Sequence, residues 1–238
     1  KYLRAPDIYW TILEKGKGKL VRLGDIAEVR RGVTTGANEF FYLDKDRIEE
    51  WGIEPEYLKP VIKSPRECKR ILIDPKDLKY KIFMCHQDKR ELQGTAALEY
   101  IKWGENQGFH ERPSCRGRRL WYEIVLRLWP NIVWIKSIND RHLQARVPFD
   151  VFVDQRLYEL TYDNPICMNI VLNCSITIMI KELYGRVNLG EGALDTAVYE
   201  ANNMLVIDPS LLPKNDASKV ESNLLKRIIL SVNVETKK

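Results

Sequence analysis

The spacing of apolar and polar positions along this chain changes several times, and each change marks an element. Pro6 opens a short helix through Leu13, which Gly16-Lys17-Gly18 ends as a hinge. A short alternation at Ile26, Glu28, Val29 and Arg30 then runs into Arg30-Arg31-Gly32. A loop of small residues follows, Thr34-Thr35-Gly36-Ala37-Asn38, and the chain returns as an aromatic strand, Phe40-Phe41-Tyr42-Leu43. This predicts a strand–loop–strand unit with a basic root and a tip rich in hydrogen-bonding groups. Asp44 is placed to cap a helix ending at Trp51-Gly52.

Further along, short strands are expected at 70–73 and 81–84, and an amphipathic helix over 88–103 closed by Gly104. Residues 104–119 read as a loop, with strands at 132–136, 151–153 and 157–161. Asn164-Pro165 starts a long, nearly all-apolar helix that ends at Gly185 and should be buried on most sides. A glycine-rich loop over 185–193 follows. The last helix shows a capping box, Ser218-x-x-Glu221, with apolar Val220, Leu224, Leu225 and Ile228. Strands dominate the first two-thirds and helices the end, which predicts an α+β fold rather than a doubly wound α/β fold.

The 238 residues are 45% hydrophobic and 30% charged, an ordinary globular composition with enough apolar material for a core. The net charge of +5 is mildly basic and by itself points to no partner. The five cysteines form no C-x-x-C pair and their count is odd, so reduced thiols in a cytoplasmic protein are expected. The most apolar run, 166–180, is too short for a bilayer, and no membrane partner is expected. The chain begins KYLRAPDIYWTIL rather than with Met, which reads as a piece of a longer chain.

Catalytic signatures are scarce. The three histidines stand in no metal-binding pattern, and there is neither G-x-S-x-G nor a phosphate-binding loop. Asn164-Pro165-Ile166-Cys167 starts like the Asn-Pro-Pro-aromatic motif of amino methyltransferases, but it lacks the second proline and the aromatic, and so reads as a helix start. Glu67-Cys68-Lys69 has the E-x-K spacing of metal-dependent nucleases, with Asp46 upstream, a triplet common by chance. No catalytic residue and no metal ligand is assigned.

Binding is better supported. Arg30, Arg31, the cluster Arg112, Arg116, Arg118 and Arg119, then Lys136, Arg141, Arg156 and Arg186 all sit at strand ends or glycine-rich turns. Any one of them could be solvated charge. Their joint placement among Thr, Asn and aromatic residues suits phosphate contact and base reading. Asn139 adds a reading-type side chain between Lys136 and Arg141.

The motifs YLRAPDIYWTIL (2–13), LGDIAEVRRGVTTGANEFFYL (23–43), RRLWYEI (118–124), VWIKSINDR (133–141), VDQRLYEL (153–160) and GRVNLGEGALDTAVYEANNMLVIDP (185–209) form a collinear series. The series resembles the C-terminal target recognition domain of N6-adenine DNA methyltransferases of restriction–modification systems, the TaqI-like specificity domain. Its first and last motifs also resemble the recognition domains of type I restriction specificity subunits. The resemblance implies a mixed, strongly curved, half-barrel-like β-sheet with flanking helices that docks on double-stranded DNA. It also implies an N-terminal methyltransferase catalytic domain in the same longer chain, using S-adenosylmethionine, in a prokaryotic cytoplasm. This chain has neither that family's cofactor glycine motif nor Asn-Pro-Pro-Tyr, so no cofactor is expected in it.

By the same resemblance, residues 1–210 form the recognition domain, and 211–238 form a helix and basic tail packed on it or on the methylase core. DNA contact is expected of Arg30, Arg31, Thr34, Thr35 and Asn38, of Arg112, Arg116, Arg118 and Arg119, and of Lys136, Asn139, Arg141, Arg156 and Arg186. Gly32, Gly36, Gly190 and Gly192 are expected to shape the loops. Two alternatives stay open: a Mg-dependent nuclease using Asp46, Glu67 and Lys69, and an interaction module docking through the helix at 218–230.

Overall fold

The computed structural model describes residues 5–125, 127–138, 142–186 and 194–235. The fold is α+β, as the element pattern predicts. Helix α1 (Asp7–Lys15) leads to β1 (Leu20–Arg22), a single turn α2 (Leu23–Ile26) and β2 (Glu28–Arg31). A second single turn, α3 (Asn38–Phe41), runs directly into β3 (Tyr42–Leu43), α4 (Lys45–Trp51), β4 (Leu58–Ile62) and β5 (Tyr80–Phe83). Next come α5 (Ala96–Asn106), the short α6 (Pro113–Arg116), β6 (Ile132–Trp134), β7 (Ser137–Ile138), β8 (Ala145–Arg146), β9 (Phe152–Val153) and β10 (Tyr158–Thr161). The C-terminal part holds α7 (Pro165–Leu172), α8 (Ser175–Tyr184), β11 (Leu194–Asp195), α9 (Val198–Asn202), β12 (Leu205–Ile207) and α10 (Lys214–Glu235).

The strands form two four-stranded sheets, ordered β2-β10-β6-β8 and β3-β5-β4-β9, and two pairs, β1-β12 and β7-β11; none closes into a barrel. All pairings are antiparallel except β4 with β9. An aromatic core under β3 and β5 gathers Phe40, Phe41, Phe83, Tyr100 and Tyr122. A second core packs α1, α7, α8 and α9 against β2, β6 and β10. A third, with Ile62, Ile71, Val133, Val153 and Leu157, lies between the sheets.

Where local chemistry is decisive the expected elements appear. Asp44 accepts the Arg47 amide at 3.1 Å and caps α4, and Gly52, at φ +61°, ends it.

Elsewhere tertiary packing overrides the local signal. Residues 23–43 are not a hairpin, because β2 and β3 belong to different sheets. Phe40 and Phe41 lie in a helical turn rather than a strand, both amides bonding the Ala37 carbonyl at 3.0 Å. That turn buries two consecutive rings on one side, which a strand's alternation cannot do. The 70–73 strand reduces to an isolated bridge between Leu72 and Arg146.

The helix expected over 88–103 begins only after Thr95, whose hydroxyl accepts from the Leu98 amide. Gly104 lies inside it rather than closing it, and is glycine because a Cβ there would meet Phe40 and Trp121 at 2.7 and 2.6 Å. The helix expected from 165 to Gly185 is two helices bent by 62°. At the break, Asn173 donates to the Asn169 and Gln144 carbonyls and Thr177 to that of Val171. The last helix starts at Lys214, and Glu221 ion-pairs with Arg146 instead of capping. Among the described residues no single helix is long and apolar enough to cross a membrane.

Candidate nucleic-acid interface

The site is built around the chain between β2 and α3, which crosses from one sheet to the other. Gly32 and Val33 lie against the 153–157 segment: the Gly32 amide bonds Leu157 O at 3.1 Å, Val33 N bonds Val153 O at 2.7 Å, and Gln155 N bonds Val33 O at 3.0 Å. A Cβ on Gly32 would sit 2.4 Å from the carbonyl oxygens of Val153 and Asp154, so the close approach requires glycine. Gly36 has φ +78°, and a Cβ there would lie 2.5 Å from Ser114.

The arginine-rich segment closes the other side of the loop. Arg118 donates to Thr34 O at 3.1 Å and Thr35 O at 2.6 Å, and from its other nitrogen to Trp121 O at 3.3 Å. Its guanidinium also lies over the Phe41 ring. Burial lowers its pKa, and its nitrogens are engaged by these carbonyls. Arg112 bonds Glu39 at 2.8 Å and holds that carboxyl below its ordinary value. Cys115 is fully buried beside the Thr35 carbonyl. Trp121 and Tyr122 anchor the base of the segment through Glu105 and the Gln87 carbonyl.

The candidate DNA-contacting residues thus divide. Thr35 is 1% exposed and its hydroxyl donates to Asn38 at 2.5 Å, so this pair sets the loop's internal shape. Arg31 and Thr34 are exposed and both bond the Gln155 side-chain oxygen at 3.1 Å, which aligns them side by side. Arg116 is exposed, with no partner among the described residues. Arg119 bonds Glu123 and the His86 carbonyl, each at 3.0 Å. Lys136 lies 5.9 Å from the Tyr158 ring centroid and Arg186 pairs with Glu200 at 2.9 Å. Arg156 sits 3.6 Å from Asp154 with 54% of its side chain exposed. Asn139, Arg141, Gly190 and Gly192 lie outside the described residues.

An open groove of about 660 Å³ runs along β2, lined by Arg30, Arg31, Gly32, Thr34, Arg127 and Asn202. β2 is the edge of its sheet, and Asn202 from α9 caps that edge: its side chain accepts from Val29 N at 3.3 Å and donates to Val29 O at 3.5 Å. Sequence reasoning missed Arg127, Gln155, Glu159 and Asn202. Arg127 donates to the Arg31 carbonyl at 3.1 Å and lies 4.0 Å from Glu159, a carboxylate 3% exposed on β10. Burial raises the Glu159 pKa, opposed by Arg127 and Arg30. Only Arg127 carried a signal in the sequence, as one more cation near a strand start.

Glu67 is buried and accepts three backbone amides, from Lys63, Ser64 and Lys79. It is a structural staple, and Lys69 pairs with Asp77. Among the described residues no group of three or more His, Cys, Asp or Glu side chains could hold a metal ion. These contacts give the nuclease alternative no support.

Comparison with known proteins agrees with the resemblance carried by the motifs. The family described as type II methyltransferase M.Eco57I, C-terminal domain, matches residues 9–234. The type II methyltransferase M.AccI of Acinetobacter calcoaceticus is 25% identical over 145 residues, which cover 56% of this chain and 26% of that protein. The chain therefore spans about a quarter of the length of that relative. In fold it is similar to part of the type IIG restriction endonuclease BpuSI, with a TM-score of 0.64 at 11% identity over 92% of this chain and 28% of that one. It is also similar to part of the type IIL restriction–modification enzyme MmeI, solved in complex with DNA, with a TM-score of 0.53 at 12% identity over 75% of this chain and 24% of that one. The chain belongs to the family of C-terminal domains of type II restriction–modification methyltransferases typified by M.Eco57I.

Proposed function

We propose that this chain recognises a specific sequence in double-stranded DNA and supplies target choice to an S-adenosylmethionine-dependent N6-adenine methyltransferase domain of a longer chain. The observation that carries the reading is the convergence at the 32–38 loop. Arg118 holds it from one side and the 153–157 segment from the other, so Arg31 and Thr34 are presented together on its outer face. Preorganised donors of this kind suit recognition, because little side-chain entropy is lost when they meet a partner. Arginine can grip phosphate or the acceptor edge of guanine, and threonine can bond either.

Asn164, which opens the Asn-Pro segment, does not fit the methyl-transfer step. The Asn164 side chain accepts from the Cys167 amide at 3.2 Å and caps α7, so it is occupied as a helix cap. We assign the methyl donor and adenine chemistry to the catalytic domain, and to this chain the placing of the duplex.

Equilibrium binding to a duplex across a range of salt concentrations tests the reading. Log affinity should fall linearly with log salt, with a slope of about −0.9 per phosphate neutralised. An affinity indifferent to salt, or no binding at low salt, would end it.

A further inference from the structure

A second basic groove, of about 510 Å³, lies between the 63–69 segment, Lys79 and Arg156. Five cations line it, Lys63, Arg66, Lys69, Lys79 and Arg156, against the carboxylates of Glu67 and Asp77. Both carboxylates are already engaged. Glu67 is 5% exposed and bonded to three backbone amides, and Asp77 takes Arg70 at 2.7 Å and Lys69 at 3.8 Å. Arg66 and Lys79 are exposed, and among the described residues no carboxylate pairs with either. The Lys63 ammonium sits 3.8 Å from the Tyr80 ring centroid and 5.3 Å from that of Tyr42, which props it at the groove wall.

The 154–156 segment links this groove to the loop. Gln155, which binds Arg31 and Thr34, is followed directly by Arg156, and Asp154 beneath accepts from both the Tyr42 hydroxyl and the Arg156 amide. One three-residue segment thus bonds the recognition loop through Gln155 and lines the cationic groove through Arg156.

We infer that this groove seats the sugar–phosphate backbone of the duplex flanking the target, as a track that neutralises charge without reading bases. The inference rests on the DNA-recognition reading. Lysine ammonium and arginine guanidinium groups around an open trough offer positive charge with few acceptors. That matches a polyanion, and it is short of the free acceptors that reading adenine and cytosine edges would require.

The test compares the wild-type chain with two double variants, Arg66→Gln/Lys79→Gln in the groove and Arg30→Ala/Arg31→Ala on the loop face. Binding to a duplex of random sequence is measured at several salt concentrations, with thermal unfolding as a check on folding. The groove variant should remain folded, bind random duplex more weakly and show a log–log salt slope shallower by about 2, one per lost phosphate contact. A groove variant with wild-type affinity and slope, beside a weakened loop variant, would overturn the inference and leave the recognition reading standing. Absence of duplex binding by the wild type would overturn both.

Discussion

Arg118 donates to the Thr35 carbonyl at 2.6 Å, tying the arginine-rich segment to the loop that follows β2. Two stretches 83 residues apart in sequence are thereby one structural unit. Removing the guanidinium leaves the Thr34 and Thr35 carbonyls short of a charged donor in a half-buried place. Arg118→Ala should therefore cost about 2 kcal/mol of stability in denaturant unfolding. It should also weaken duplex binding through the loop it no longer holds. Arg116→Ala should leave stability within about 0.5 kcal/mol, and should weaken duplex binding about equally for all sequences with a salt slope shallower by about 1.

Gly36 combines a left-handed backbone with contact against Ser114. Gly36→Ala should destabilise by about 1–3 kcal/mol, from strain and from the displaced 112–116 turn. Gly18, also left-handed but with open space around it, supplies the comparison: Gly18→Ala carries the backbone term alone and should cost less.

The Arg146–Glu221 pair fastens α10 to β8 with bonds of 2.7 and 2.9 Å, and only 15% and 7% of the two side chains are exposed. Glu221→Ala strands a buried guanidinium and should cost about 3–5 kcal/mol by chemical denaturation. Arg146→Met with Glu221→Leu should recover most of that loss, since the pair itself adds little beyond an apolar replacement.

Two buried groups set a pH dependence. Burial raises the Glu159 pKa, so the folded chain binds its proton more tightly than the unfolded chain does. Stability should therefore fall as pH rises through the window from the ordinary glutamate value up to the raised one, and Glu159→Gln should remove that fall. Lys181 has the opposite sign. It is 2% exposed, donates to the Ile135 carbonyl at 2.6 Å, and burial lowers its pKa well below 10.5. Stability should rise as pH climbs from the lowered value toward 10.5, and Lys181→Met should flatten that rise. Unfolding midpoints measured across pH for the three chains separate the two effects.

The sequence carried the elements whose ends have their own chemistry. The Asp44 cap and Gly52 define α4 locally, and strands β6, β9 and β10 show their apolar runs. It misled where one local signal served a tertiary purpose. Gly104 resembles a helix terminator, yet it is small in order to admit Phe40 and Trp121. Ser218 and Glu221 have capping spacing, yet Glu221 is claimed by an arginine 75 residues away. The basic loops were legible as a group, whereas the division of labour within them was not. Arg118 and Arg116 look alike in sequence, and only the carbonyls around Arg118 show that it holds the loop while Arg116 faces solvent. Gln155 and Glu159 gave no signal, because their roles exist only once β2 and β10 are paired.

On the proposed function the chain reads sequence, beyond adhering to an anionic polymer. Selection of bound duplexes from a randomised pool, at a salt concentration that suppresses non-specific contact, addresses it most directly. The wild-type chain should enrich one short motif, and Arg30→Ala/Arg31→Ala should lose or relax that motif. A pool recovered with its starting composition, by a chain that still binds duplex DNA, would contradict it.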